Sequence, residues 1–309
     1  MSKKYLALLL KILILLVVFG AVGWKLYESW DRIQDVHWEP NYLLLVFSGI
    51  CYAVAYVPAA IYWRYVMQTL GQKPGRYETF RAYYIGHLGK YVPGKAMVMI
   101  IRAGLLNHER TRISTAAAGV FVETMTMMAV GAFVAAFTML LWFRHIEHGN
   151  WITLLALGTM VCTVLPILPP VFHFATKKLK KFQIELKRLQ FRTLAVGWTL
   201  NIPVWVMLGF SLWLTALGFG MKSESLLSEL PFFTFAISGA IVFGFASMLP
   251  GGFGAREIAL AFILVPFFTT HPIGDIEPSV IAIVIVAIHR VVSILAELTI
   301  SALLAWKQR

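Results

Sequence analysis

Residues 232–269 read FFTFAISGAIVFGFASMLPGGFGAREIALAFILVPFFT, a long apolar run broken near its middle by Pro250, Gly251, Gly252 and Gly254. A second run has the same design. Residues 79–106, TFRAYYIGHLGKYVPGKAMVMIIRAGLL, are interrupted by Gly86, Gly89, Lys90, Pro93, Gly94 and Lys95. Proline removes a backbone donor and glycine weakens a helix, so each run reads as two helical arms around a turn. The hydrocarbon of a bilayer is about 30 Å thick and takes about 20 apolar residues of helix to cross. The arms of the earlier run, 79–91 and 96–106, hold 13 and 11 residues. At 1.5 Å per residue they reach roughly 16–20 Å, too short to cross. The arms of the later run, 232–248 and 255–269, hold 17 and 15 residues. Both segments are expected to be re-entrant helical hairpins, dipping into a membrane and returning to the same side.

The rest of the chain fits that setting. Of 309 residues, 59% are apolar and only 14% charged, against roughly 25% charged in soluble domains; mean hydropathy is +0.74. Six unbroken apolar segments, 5–23, 42–62, 115–142, 151–174, 194–217 and 280–305, are long enough to span. The first follows Lys3 and Lys4, but no small-residue cleavage site comes after it, so it reads as a mature helix and not a signal peptide. The fold class is therefore an all-α polytopic membrane protein with six transmembrane helices and two re-entrant hairpins. The net charge of +12 does not indicate nucleic acid, because the charges fall between apolar runs. Cys51 and Cys162 each lie inside such a run and read as buried small side chains, with no disulfide, metal or cofactor implied.

Loop charge sets the orientation. With the N-terminus inside, segments 1–4, 63–78, 107–114, 175–193 and 306–309 carry sixteen Lys and Arg. The opposite loops carry four, Lys25, Arg32, Arg144 and Lys222. This positive-inside bias places both termini in the cytoplasm, the membrane being the cytoplasmic (inner) one. Span, span, hairpin, span over 5–142 is then repeated, upside down, over 151–305. Inverted repeats with paired broken helices are the arrangement of secondary transporters, whose substrate lies where the repeats meet. The basic connection 175–193 is either a surface helix drawn to anionic lipid or a plain solvated linker.

Charges inside hydrocarbon cost on the order of 3 kcal/mol each on insertion scales. Lys90, Lys95, Arg102, Glu123, Arg256, Glu257, Arg290 and Glu297 are so placed, with His87 and His289 beside them. They must face one another or a wet cavity. Cations exceed carboxylates among them, so the cavity favours an anion, and within a membrane a lipid phosphate is the obvious one. Glu123 is expected to pair with Arg290 across the two halves, as a structural tie or as part of a gate. Arg290 and Glu297 are seven residues apart and share one helical face. His289 reads as a hydrogen-bonded packing residue. Lys90 and Lys95 either contact phosphate or snorkel to the surface. The sequence from Pro250 to Arg256 offers glycine-exposed N–H groups at a helix start beside a cation, either an anion site or only a tight turn. It matches no nucleotide-binding fingerprint.

The motifs GKYVPGK at 89–95, followed by Arg102, and MLPGGFGARE at 248–257 resemble the flippase-like family related to the transmembrane region of lysylphosphatidylglycerol synthases. Glu123 and His289–Arg290 also fall where that family places charge. The first tip departs from the commoner form, which has Gly-Glu after the Pro-Gly turn; here Met97 and Val98 occupy that region. The resemblance implies movement of an anionic phospholipid or polyprenyl-phosphate-type lipid between leaflets. The two tips with Arg102, Glu123 and Arg290 would form the translocation site, and a lipid-modifying enzyme would be a natural partner. Bifunctional relatives carry a further soluble domain that attaches the amino acid. This chain ends at Arg309, so no such domain, and no enzymatic activity, is expected. Two other classes stay open: a membrane glycosyltransferase or its accessory subunit, which lacks support from any paired-carboxylate loop, and a small-anion or ion-coupled transporter.

Overall fold

The computed structural model describes residues 40–92, 97–106, 111–143, 150–168, 170–171, 174, 189–247 and 249–306. The expected span 5–23, the tip residues Pro93, Gly94 and Lys95, and most of the connection 175–193 lie outside the described residues. Among the described residues there are ten α-helices and no strand.

Helix α1 (Tyr42–Ala55) starts at Asn41, whose side chain accepts the Leu44 N–H at 3.3 Å. Pro58 lacks a helix donor, so the chain is kinked at Tyr56 before continuing as α2 (Val57–Thr69). The first broken segment follows as α3 (Arg76–His87), a 3-10 turn (Leu88–Tyr91) and α4 (Met97–Gly104). Its arms of 12 and 8 residues extend about 18 and 12 Å, well short of a crossing. Helix α5 (Ile113–Phe143) is followed by α6 (Asn150–Val164) and α7 (Phe191–Gly218). The second broken segment is α8 (Leu226–Ala246), a 3-10 turn (Pro250–Gly252) and α9 (Ala255–Thr270), and α10 (Pro278–Trp306) closes the described chain.

Among the described residues, five apolar stretches are long enough to cross a membrane: Tyr42–Thr69, Ile113–Trp142, Phe191–Gly218, Leu226–Ala246 and Pro278–Trp306. Two differences from the sequence reading stand out. The expected span 151–174 is a helix of only 15 residues that gives way to a 3-10 turn at Leu165–Ile167. Pro166 ends the α-helical ladder there. Conversely, the first arm of the second broken segment starts six residues earlier than expected, at Leu226, and its 21 residues would suffice to cross. The sequence reading places 218–231 in a loop on the outer side. The structure instead buries Glu229 under hydrogen bonds from Trp213 Nε1 at 2.7 Å, Ser223 Oγ at 2.8 Å and the Glu224 N–H at 2.8 Å.

The helices pack closely because small residues face large ones. A Cβ on Gly209 of α7 would lie 2.6 Å from the Thr234 Cα of α8, so these two backbones touch where only glycine fits. Phe232, Phe233, Phe267 and Phe268 are fully buried and lock α8 to α9 by edge and stacked contacts. Ser48 on α1 bonds Ser211 Oγ and Thr215 Oγ1 on α7 at 3.0 and 2.9 Å, a polar seam inside an otherwise apolar bundle. Outward-facing Phe47, Leu154, Leu155, Phe262 and Leu295 are exposed, as befits a lipid-facing surface. Cys51 is half-buried, but Cys162 lies on the exposed face of α6; both are free thiols.

Candidate functional site

Helix α10 carries the centre of the site. Arg290 is twelve residues past Pro278 and Glu297 nine short of Trp306, roughly 18 and 14 Å from the two ends. Their spacing of seven puts both on one face, and both are buried. Glu297 holds three elements together. Its Oε1 accepts from Tyr52 Oη of α1 at 2.7 Å and from Lys90 Nζ of the first tip at 2.5 Å. Its Oε2 accepts from Tyr91 Oη, also of the first tip, at 2.9 Å. Lys90 in turn lies 2.9 Å from His87 Nε2.

Two turns nearer the start of α10, Arg290 stands over the rings of Tyr91, at 5.3 Å, and Phe253, at 6.0 Å. Its Nε is 3.4 Å from Glu257 Oε1. It is 9% exposed, yet no nitrogen of its guanidinium has a hydrogen-bond partner among the described residues. Arg256, equally deep, joins Glu257, Leu260, Val286, His289 and Arg290 around a narrow crevice. His289 bonds Thr215 Oγ1 through Nδ1 at 3.2 Å, the packing role its sequence suggested, while its Nε2 is buried and unpartnered among the described residues.

The two tips touch. Gly251, at φ +59°, approaches the first tip so closely that a Cβ would lie 3.3 Å from the Lys90 carbonyl oxygen and 3.8 Å from Tyr91 Cδ1. Gly252 and Gly254 also have positive φ, so the turn from Pro250 to Ala255 is one that glycine alone makes without strain. The first helical donors beyond it are not all free. Gly254 N–H donates to Glu257 Oε2 at 2.7 Å, a cap that places one of the chain's own carboxylates where the sequence suggested an external anion.

Arg102 and Glu123 form a separate unit. Arg102 Nη1 lies 2.8 Å from Glu123 Oε2, Tyr83 Oη donates to Glu123 Oε1 at 2.9 Å, and the Arg102 guanidinium sits 3.8 Å above the Tyr83 ring. The expected Glu123–Arg290 pair is therefore corrected: Glu123 pairs with Arg102, and Arg290 faces Glu257. The reason is packing, since α4 lies on α5 and α10 does not bring Arg290 to that face. Lys90, Gly251, Gly252, Gly254, Arg256, Glu257, Arg290 and Glu297 thus come together at the tips, and Arg102 with Glu123 do not join them as partners.

Sequence reasoning missed Tyr52, Tyr83 and Tyr91, the phenols that satisfy the buried carboxylates. It also passed over Arg81, whose Nε is buried without a partner among the described residues. The signal was available: a tyrosine within an apolar segment that carries buried acids is a ready donor.

No curated protein and no solved structure matches the chain. The family model of the lysylphosphatidylglycerol synthase transmembrane region, by contrast, matches residues 5–303, nearly the whole length. That match agrees with the motifs at the two tips and with the helical, multi-span architecture around them. The chain is a multi-pass membrane protein that belongs to the lysylphosphatidylglycerol synthase transmembrane-region family.

Proposed function

We propose that this chain moves an anionic lipid, or a lipid-linked phosphate intermediate, between membrane leaflets, and that its head group passes the meeting point of the two tips. Membership of the family supports a role in membrane lipid handling. The observation that carries the finer reading is Arg290: a guanidinium nine-tenths buried, without a hydrogen-bond partner among the described residues, beside Arg256 in a crevice at mid-span. A buried cation is costly unless something pairs with it. Glu257 offsets it at 3.4 Å but is itself engaged in capping Gly254. Lys90, Arg256 and Arg290 against Glu257 and Glu297 leave the cluster one positive charge in excess, which a phosphate diester neutralises. Arg102, already neutralised by Glu123, holds the first tip in place and does not meet the substrate in this reading.

The proposed topology places both termini in the cytoplasm, with the inverted halves 5–142 and 151–305 meeting at the tips. The short arms α3 and α4 support a re-entrant first segment. The length of α8 allows the second to cross more fully, yet either path returns to its starting side and leaves the loop-charge argument intact.

The test is transport in proteoliposomes carrying a head-group-labelled anionic lipid or a zwitterionic one. Arg290→Gln should abolish anionic-lipid movement while leaving folded yield near wild type. Arg290→Lys should restore only part, since lysine offers a point charge in place of a planar fork. Equal movement of both lipids, unaffected by Arg290→Gln, would remove the proposal.

A further inference from the structure

Away from the tips, the end of α2 shapes a second cavity. Its volume is about 340 Å³ and it is lined by Arg64, Gln68, Gly71, Gln72, Lys73 and Pro74. A water molecule occupies about 30 Å³ of liquid, so there is room for a hydrated polyatomic ion. Gly71, at φ +82°, ends the helix and turns the chain back, and the Gln72 N–H closes the turn on Met67 O at 2.9 Å. This fold-back sets Pro74 against Arg64, whose Nε donates to the Pro74 carbonyl at 3.3 Å. With the Gln68 amide oxygen turned toward it, each terminal nitrogen of Arg64 also finds that oxygen at 3.1 Å.

Those acceptors are neutral. They fix the plane of the guanidinium and leave its charge in place. Of its five N–H donors, three are engaged by Pro74 and Gln68, so one on each terminal nitrogen remains for a ligand. Gln72 is oriented too. Its Oε1 accepts the Arg112 N–H at 2.7 Å, which leaves its amide N–H groups for a ligand in the cavity it lines. Lys73, exposed at the rim, adds a mobile ammonium, and among the described residues no carboxylate lines the cavity. Two oriented pairs of N–H donors and a flexible cation suit a tetrahedral oxyanion with several acceptor oxygens. The cavity also lies at the end of the apolar stretch Tyr42–Thr69, where hydrocarbon gives way to head groups or water.

We infer that this cavity binds a phosphate group at the membrane–water boundary, distinct from the crevice at the tips. The phosphate belongs either to a lipid head group or to a soluble phosphate ion, and both present the same oxygens to Arg64. The experiment uses the full chain in neutral detergent, in an Arg290→Gln background that removes the central guanidinium. One arm measures inorganic phosphate binding by equilibrium dialysis at fixed ionic strength. The other counts phosphatidylglycerol molecules retained in native mass spectrometry. Arg64→Gln should weaken binding in at least one arm by about tenfold or more, the usual scale for loss of hydrogen bonds from a charged donor. Lys73→Gln, an exposed change that leaves folding intact, should weaken the same arm by a smaller factor. Loss in the phosphate arm identifies a soluble ion as ligand, and loss in the lipid arm alone identifies a head group. Binding in both arms that Lys73→Gln leaves unchanged overturns the inference if Arg64→Gln leaves it unchanged too, or reduces it only in step with a loss of folded protein.

Discussion

Replacing Glu123 by glutamine strands the charge of Arg102 in a place built around it. Arg102 and Glu123 are 2% and 1% exposed, and their charged atoms lie 2.8 Å apart. Glutamine still offers an oxygen to Arg102 and to Tyr83, so the hydrogen bonds survive in part while the compensating charge does not. Breaking a buried pair by removing one partner costs about 3–5 kcal/mol. The retained oxygen puts Glu123→Gln near the lower end of that range and Glu123→Ala near the upper. Arg102 keeps its contact with the Tyr83 ring at 3.8 Å, which does not replace a carboxylate. The double variant Arg102→Gln with Glu123→Gln removes both charges together and should melt well above the sum of the two single losses. The assay is a double-mutant cycle of thermal melting in one detergent, with Arg290→Gln combined with Glu123→Gln as control. Arg290 contacts Glu257, so its combination with Glu123→Gln should be additive within about 0.5 kcal/mol. Additivity for Arg102 with Glu123, or coupling for Arg290 with Glu123, would refute the pairing.

Further expectations concern the packing and the topology. Gly209→Val drives a branched side chain into the Thr234 backbone and should cost about 1–3 kcal/mol, read as a lower melting temperature and reduced yield. Glu229→Ala frees Trp213 Nε1, Ser223 Oγ and the Glu224 N–H at once. Stability should fall by at least about 1–3 kcal/mol, and limited proteolysis should find the loop before α8 newly accessible. In a Cys51→Ser, Cys162→Ser background, Arg76→Cys should be labelled by an impermeant maleimide only from the cytoplasmic face, and Lys222→Cys only from the other. Labelling of both from one face would dismantle the proposed arrangement.

The longest apolar runs and the two breaks were legible in sequence because length and glycine-proline content act locally. Pairings were not. Counting residues along a helix shows how far a side chain lies from its ends but not the direction in which the helix is turned, and Glu123 and Arg290, each well inside its own helix, turn to different partners. The Arg290–Glu297 spacing fared better, because a single helix supplies both its height and its azimuth. The helical start at Leu226 was not legible because the donors that satisfy Glu229 come from Trp213 on the preceding helix and from the Ser223 hydroxyl and backbone of the loop. Sequence counts such an acid as a loop residue. The tyrosines escaped for the opposite reason: their rings suit an apolar face, and only the fold reveals where the hydroxyl points.

Glu297 binds three donors from two elements, and each bond to a charged partner is typically worth about 1.5–3 kcal/mol. Pulling Lys90 and Tyr91 away together would leave them bare at a cost of roughly 3–6 kcal/mol, so simple rupture is a slow route to freeing the first tip from α10. An arriving oxyanion changes the terms. It offers Lys90 and Tyr91 a replacement acceptor before the old one is relinquished, and the donors pass from carboxylate to ligand one at a time. Under the proposed function the carboxylate would act as a resident surrogate for the cargo, keeping the passage shut while no cargo is present and yielding to it by exchange. In such a device selectivity and opening would be the same event, since only a molecule able to take over those donors would free the first tip from α10.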